Sequence, residues 1–155
     1  MWHQRPVPER WSPAECVAHL NLTSAAFLPL LRGGLEEARQ RGRPSGRYRR
    51  DFMGWLIWRM VTPSGSFKTK TPAAFVPSSD RGADAIVADF ERLQRELVAC
   101  VESAEGLPID RVKIASPFDA RAKYNLYAAM TVLPRHEHRH LLQAERAAAP
   151  AAGRT

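Results

Sequence analysis

The chain has 155 residues, 45% of them hydrophobic and 25% charged, with a net charge of +7 and a pI near 10. That length suits one domain with a core of its own, and that composition excludes wholesale disorder. Two cysteines, Cys16 and Cys100, exclude a disulfide framework, and no run approaches the roughly 18 uninterrupted apolar residues of a membrane span.

Residues 1–11 hold two prolines and no apolar run, so they predict an N-terminal extension and no secretory leader. A reducing, cytoplasmic location without a membrane partner is the expectation. Ser12-Pro13-Ala14-Glu15 is a helix start: the serine caps, the proline suits the first turn, and the glutamate completes a capping box. Val17, Leu20, Phe27, Leu31 and Leu35 then recur at helical spacing, with Leu22, Ala26 and Leu30 widening the stripe. Gly33-Gly34 weakens the end of this helix, and the Gly/Pro/Ser stretch 42–46 terminates it. Residues 39–50 carry six arginines and no acid, which accounts for +6 of the +7. Basicity is thus local to one loop. A solvated loop is the favoured reading over an anion-binding one, and with Tyr48 as its single aromatic it is poorly supplied for stacking on single strands. Nucleic acid is not an expected partner.

Residues 51–61 predict a short apolar helix, and 62–79 an extended connection rich in Pro, Thr, Ser and Lys. A second long helix is expected from Ser79 or Asp80 to about Glu105, with Ile86, Phe90, Leu93, Leu97 and Val101 as its stripe and Gly106-Leu107-Pro108 as its stop. After an irregular stretch, a third long helix runs from about Lys123 to Ala147, bent or loosened at Pro134. Residues 148–155 read as a frayed tail. There is no repeat, no glycine-rich phosphate loop and little sign of strands. The prediction is an all-α bundle over residues 12–147, with three long helices and a short fourth.

His136 and His140 are four apart on the last helix and point the same way, on a face that continues through Asn125, Ala129, Val132, Leu133 and Gln143. His138 falls about 200° away and should be exposed. Two buried imidazoles need partners, since each unsatisfied polar group costs on the order of 1–3 kcal/mol. A divalent ion would satisfy both, with His19 as the natural third ligand and an open fourth position of the catalytic kind. Hydrogen bonds to carbonyls or acids, with His19 separately satisfied, are the plainer alternative.

Three segments carry a resemblance. Trp11-Ser12-Pro13-Ala14-Glu15-Cys16-Val17-Ala18-His19-Leu20 resembles the helix opening of the DinB-like superfamily. Residues 68–77 resemble the linker of one of its branches. His136-Glu137-His138-Arg139-His140-Leu141-Leu142-Gln143 looks like its closing His-x-x-x-His-x-x-Gln element. The resemblance implies a DinB-like four-helix bundle that holds a divalent metal ion through His19, His136 and His140. It also implies chemistry like that of thiol-dependent transferases and isomerases. One departure stands out: the full helix that usually precedes the first histidine is shortened or missing here.

Two functions compete. One is a metal-dependent transferase or hydrolase, using zinc or nickel with a low-molecular-weight thiol or water. In it Glu15, Gln143 and Arg139 would steady the ligands or meet substrate. The other is a non-catalytic stress-response or binding module whose metal site is structural or vestigial. Glu15 could equally serve only its capping box, Gln143 only a nearby backbone group, and Arg139 only a surface ion pair. Cys16 reads as a small buried hydrophobe. Without a preceding helix, the stripe of the first long helix should lack a cover. Either the short helix around Trp55, Leu56 and Trp58 folds over it, or a homodimer forms across it, and the homodimer is favoured.

Overall fold

The computed structural model describes residues 1–43, 47–62, 70–78 and 81–149. Helix α1 spans Pro13–Gln40, α2 Phe52–Met60, α3 Ala83–Glu102 and α4 Leu126–Ala148, and a 3-10 turn covers Ala73–Phe75. The fold is all-α apart from a short antiparallel ribbon. The Pro44-Ser45-Gly46 part of the expected stop, residues 63–69 of the connection (Lys68 and Thr69 among them), Ser79, Asp80 and the tail from 150 lie outside the described residues.

α1 begins as its sequence requires. The Ser12 hydroxyl accepts from the Glu15 N–H, and the Glu15 carboxylate accepts from the Ser12 N–H at 2.8 Å. The Glu15 carboxylate is also paired with Arg5. The Ala14 N–H donates to the Trp2 carbonyl, and Trp2 packs against Ala14, Val17 and Ile86. Residues 1–11 contain turns and no helix, and they lie folded against the start of α1.

The α1 stripe is covered within the monomer: Leu20, Phe27, Leu31 and Leu35 are between 0% and 3% exposed. α3 and α4 supply the cover, joined at the far end by the ribbon. This overturns the expectation of an uncovered stripe, and α2 does not lie over it. Instead α2 packs on α4 and on the second strand of the ribbon. Leu22, expected to widen the stripe, is exposed, whereas Asn21, Thr23 and Ser24 are buried. Asn21 makes this possible by donating to the Ile86 carbonyl at 2.9 Å.

α1 is long and apolar enough to cross a bilayer by length and composition alone, but 67% of its most apolar stretch is buried inside the protein. A core helix sandwiched between two others accounts for that apolarity.

α3 starts at Ala83 after Gly82, later than expected, and its cap makes no side-chain hydrogen bond. Ile86, Leu93 and Leu97 are buried as expected, but Cys100 takes the place expected for Val101, which is 52% exposed. α4 starts three residues later than expected because Lys123–Asn125 forms strand β2, paired antiparallel with β1, Lys113–Ala115, in the register Ile114↔Tyr124. Asn125 then caps α4 by accepting from the Ala128 N–H at 2.9 Å, while its amide donates to the Arg49 and Asp110 carbonyls.

The basic segment is partly anchored. Arg39 and Arg41 pair with Glu36 and Glu37 on the last turns of α1, and the Tyr48 hydroxyl donates to the Leu107 carbonyl. Arg50 donates to Thr131 at 2.8 Å and lies over the Trp58 ring.

Candidate metal centre

α1 delivers His19 and α4 delivers His136 and His140 to one point in the seam between them. One potential ligand nitrogen from each of the three lies within 4.8 Å of the others. His19 Nε2 and His136 Nε2 are 3.4 Å apart. The ring centroids stand 4.6 to 5.3 Å from one another.

Two of the rings are pinned from behind. His19 Nδ1–H donates to the Phe75 carbonyl at 2.8 Å, and His140 Nδ1–H donates to the Gln143 side-chain oxygen at 3.1 Å. Each bond fixes one tautomer and leaves Nε2 unprotonated, as a metal ligand requires. Trp11 packs 4.8 Å from His19 and 5.9 Å from His140, and Phe118 sits 6.0 Å from His136 and 4.5 Å from Phe75. These rings make an apolar wall.

The wall shapes the electrostatics. Burial pushes all three imidazoles below their ordinary range, His136 well below it and His140 down to about 3. The neighbouring imidazoles and the Arg139 guanidinium depress His136 and His140 further, while the Phe75 carbonyl partly offsets the effect at His19. All three are therefore neutral at pH 7, the form that ligates.

Three neutral imidazoles fit a divalent ion chemically. A tetrahedral ion with nitrogens at 2.0–2.1 Å separates them by about 3.3 Å, close to the observed 3.4 Å between His19 and His136. The residues present can hold such an ion.

Of the three supporting candidates, Gln143 lies where the sequence put it, behind His140. Arg139 is near enough to depress both α4 imidazoles electrostatically. Glu15 is a correction. It is 2% exposed and bonded to Ser12 and Arg5, whose guanidinium holds its carboxyl below the usual range, so it closes the helix start and does not support His19. His138 is exposed and His3 is exposed, both away from the cluster. Burial pushes the Cys16 thiol up to about 12, which leaves it inert. The Phe75 carbonyl and the Phe118 ring were not foreseen. A backbone acceptor 56 residues from its donor leaves no residue-type signal in the sequence.

The polar seam continues past the site. Glu137 accepts from Gln94 at 2.7 Å, and burial raises its carboxyl above the usual range against the opposing pull of Gln94 and Ser24. This group ties α4 to α3 beside the histidines.

A family model described as the DinB superfamily matches residues 1–144. Among curated proteins and solved structures, none matches the chain.

Proposed function

The chain belongs to the DinB superfamily, and from that premise we propose that it is a metal-dependent transferase or hydrolase, its divalent ion, zinc or nickel, held by His19, His136 and His140. The observation that carries the proposal is the 3.4 Å approach of two Nε2 atoms, with the third imidazole beside them and two of the rings pinned through Nδ1. When bound, a divalent ion supplies a Lewis acid that lowers the pKa of a thiol or water in its open position towards neutrality.

This chain's own residues set the conditions for that chemistry. Phe75 and Gln143 hold two imidazoles in the ligating tautomer, so little reorganisation is needed on binding. Trp11, Phe75 and Phe118 exclude bulk water from one side and strengthen every charge interaction inside. Arg139 adds a fixed positive charge beside the α4 imidazoles, suited to a thiolate or to a carboxylate on a small thiol substrate.

Elemental analysis of the purified full chain tests the centre. The expected result is about one divalent ion per chain, lost in His140→Ala and retained in His138→Ala. Equal loss in both variants would sink the assignment. The reaction class is tested next, by screening metal-loaded protein for turnover that requires an added low-molecular-weight thiol. Turnover indifferent to thiol points to the hydrolase.

A further inference from the structure

Helix α2 is apolar on its outer side. Phe52, Met53, Trp55, Leu56 and Met60 are all exposed, Phe52 at 76%, whereas its one buried residue is Gly54. A Cβ on Gly54 would come within 2.3 Å of the Ala128 Cβ, so the helix lies hard against α4 on that side. At 3.6 residues per turn the five exposed side chains fall in one arc of about 160° centred opposite Gly54. The Phe52 and Trp55 rings stack at 6.2 Å within it. Scattered exposed hydrophobes need no explanation, but a contiguous set of this size marks a contact surface.

Exposed positive charge lies in the chain segment that leads into α2 and on the arc itself. Arg43, Arg47 and Arg49 are exposed and make no ion pair with an acid among the described residues. Arg59 lies inside the arc, 5.9 Å from the Trp55 ring, and Arg50 and Arg135 both lie over Trp58. The nearby acid, Asp51, caps α2 and faces Lys113 at 3.6 Å. A second copy seated on this face would bring like charges together. A nucleic acid would gain nothing from Met53, Leu56 and Met60, and Tyr48, the aromatic of the basic segment, is tied to Leu107. An anionic lipid surface satisfies both features, since the apolar arc enters the acyl boundary while the guanidiniums reach headgroup phosphates.

We propose that α2, with Arg43, Arg47, Arg49 and Arg59, docks this protein peripherally on an anionic phospholipid bilayer. The contact is interfacial and involves no span.

Co-sedimentation of the full chain with vesicles tests it, comparing phosphatidylcholine alone with an equal mixture of phosphatidylcholine and phosphatidylglycerol. Binding to the mixed vesicles only, weakening as salt rises, is the expected result. The double variant Phe52→Ser/Trp55→Ser should reduce partitioning by about tenfold or more. The triple variant Arg43→Gln/Arg47→Gln/Arg49→Gln should reduce it through the charge alone, and its exposed positions keep the fold intact. His140→Ala should bind vesicles as wild type does, which separates this proposal from the metal centre. Failure to bind mixed vesicles at low salt overturns it, as does undiminished binding by the double serine variant while its melting is unchanged. Tighter binding to a single-stranded oligonucleotide than to vesicles overturns it in favour of nucleic acid. A dimer that dissociates in the double serine variant, without vesicle affinity in the wild type, overturns it in favour of a second copy.

Discussion

At the scale of single residues, the site is a set of groups kept neutral by burial. Each imidazole of the cluster titrates below a free histidine, whose pKa is about 6.5. The unfolded chain therefore takes up protons that the metal-free native state refuses. Stability is fully present above about pH 6.5 and is lost as pH falls from there towards the folded values. The loss is up to about 1.4 kcal/mol per histidine per pH unit. Thermal melts of chelator-treated protein should be level between pH 7 and 8 and should fall steeply between pH 6.5 and 5. A melting temperature that holds or rises on acidification would contradict the burial of neutral rings. These histidines were legible because the spacing of four puts His136 and His140 on one face, and because His19 sits in mid-helix. Of the two roles open to Glu15, the structure shows the capping box, for a physical reason. A glutamate three after a serine cap reaches back towards the helix start, and a guanidinium from residue 5 meets it there.

At the scale of elements, the long helices were readable and their joints were not. The 28 residues of α1 and the 20 of α3 give several turns of periodic burial, enough to specify a face. Strands of three residues, such as Lys113–Ala115 and Lys123–Asn125, are too short for an alternating pattern to register. Asn125 nevertheless held a readable signal, since an asparagine three residues before Ala128 is a good cap. The seat of α2 depends on a single missing side chain. Gly54→Ala gains about 1 kcal/mol of helix propensity but forces a methyl to within 2.3 Å of Ala128 and 2.8 Å of the Asp51 carboxylate. Overpacking of that kind costs about 1–3 kcal/mol, so the net effect should be a lower melting temperature. Gly33→Ala, with nothing within 4 Å of its added Cβ, should raise it, by about 0.5–1 kcal/mol in stability. Denaturant melts of the two variants side by side decide the point, and a stabilised Gly54→Ala would mean that α2 is loosely seated.

At the scale of the molecule, one core runs through α1, α3, α4 and the ribbon, and its apolar members were mostly visible in the sequence. What sequence patterning cannot show is which helix covers which, so the sequence suggests α2 or, by preference, a second copy as the cover for α1, whereas α3 and α4 provide it. Exposed ion pairs such as Arg92 with Glu96 and Arg81 with Asp89 decorate this body and add little to it. The histidine cluster stands differently, because His19 and His136 are 117 residues apart in the chain. An ion gripping both is a reversible cross-link that ties the first long helix to the last. By chain-entropy reckoning, closing a loop of roughly a hundred residues removes about 4–5 kcal/mol of freedom from the unfolded ensemble. The same clasp must open before α1 and α4 can separate, so its grip should appear as a slower unfolding rate. Amide hydrogen exchange along His19–Leu31 and Met130–Gln143 should therefore slow when zinc is added to metal-free protein, and His140→Ala should show no such response. A wild-type exchange pattern indifferent to zinc would mean that nothing spans the seam, and that the two ends of the chain are held by packing alone.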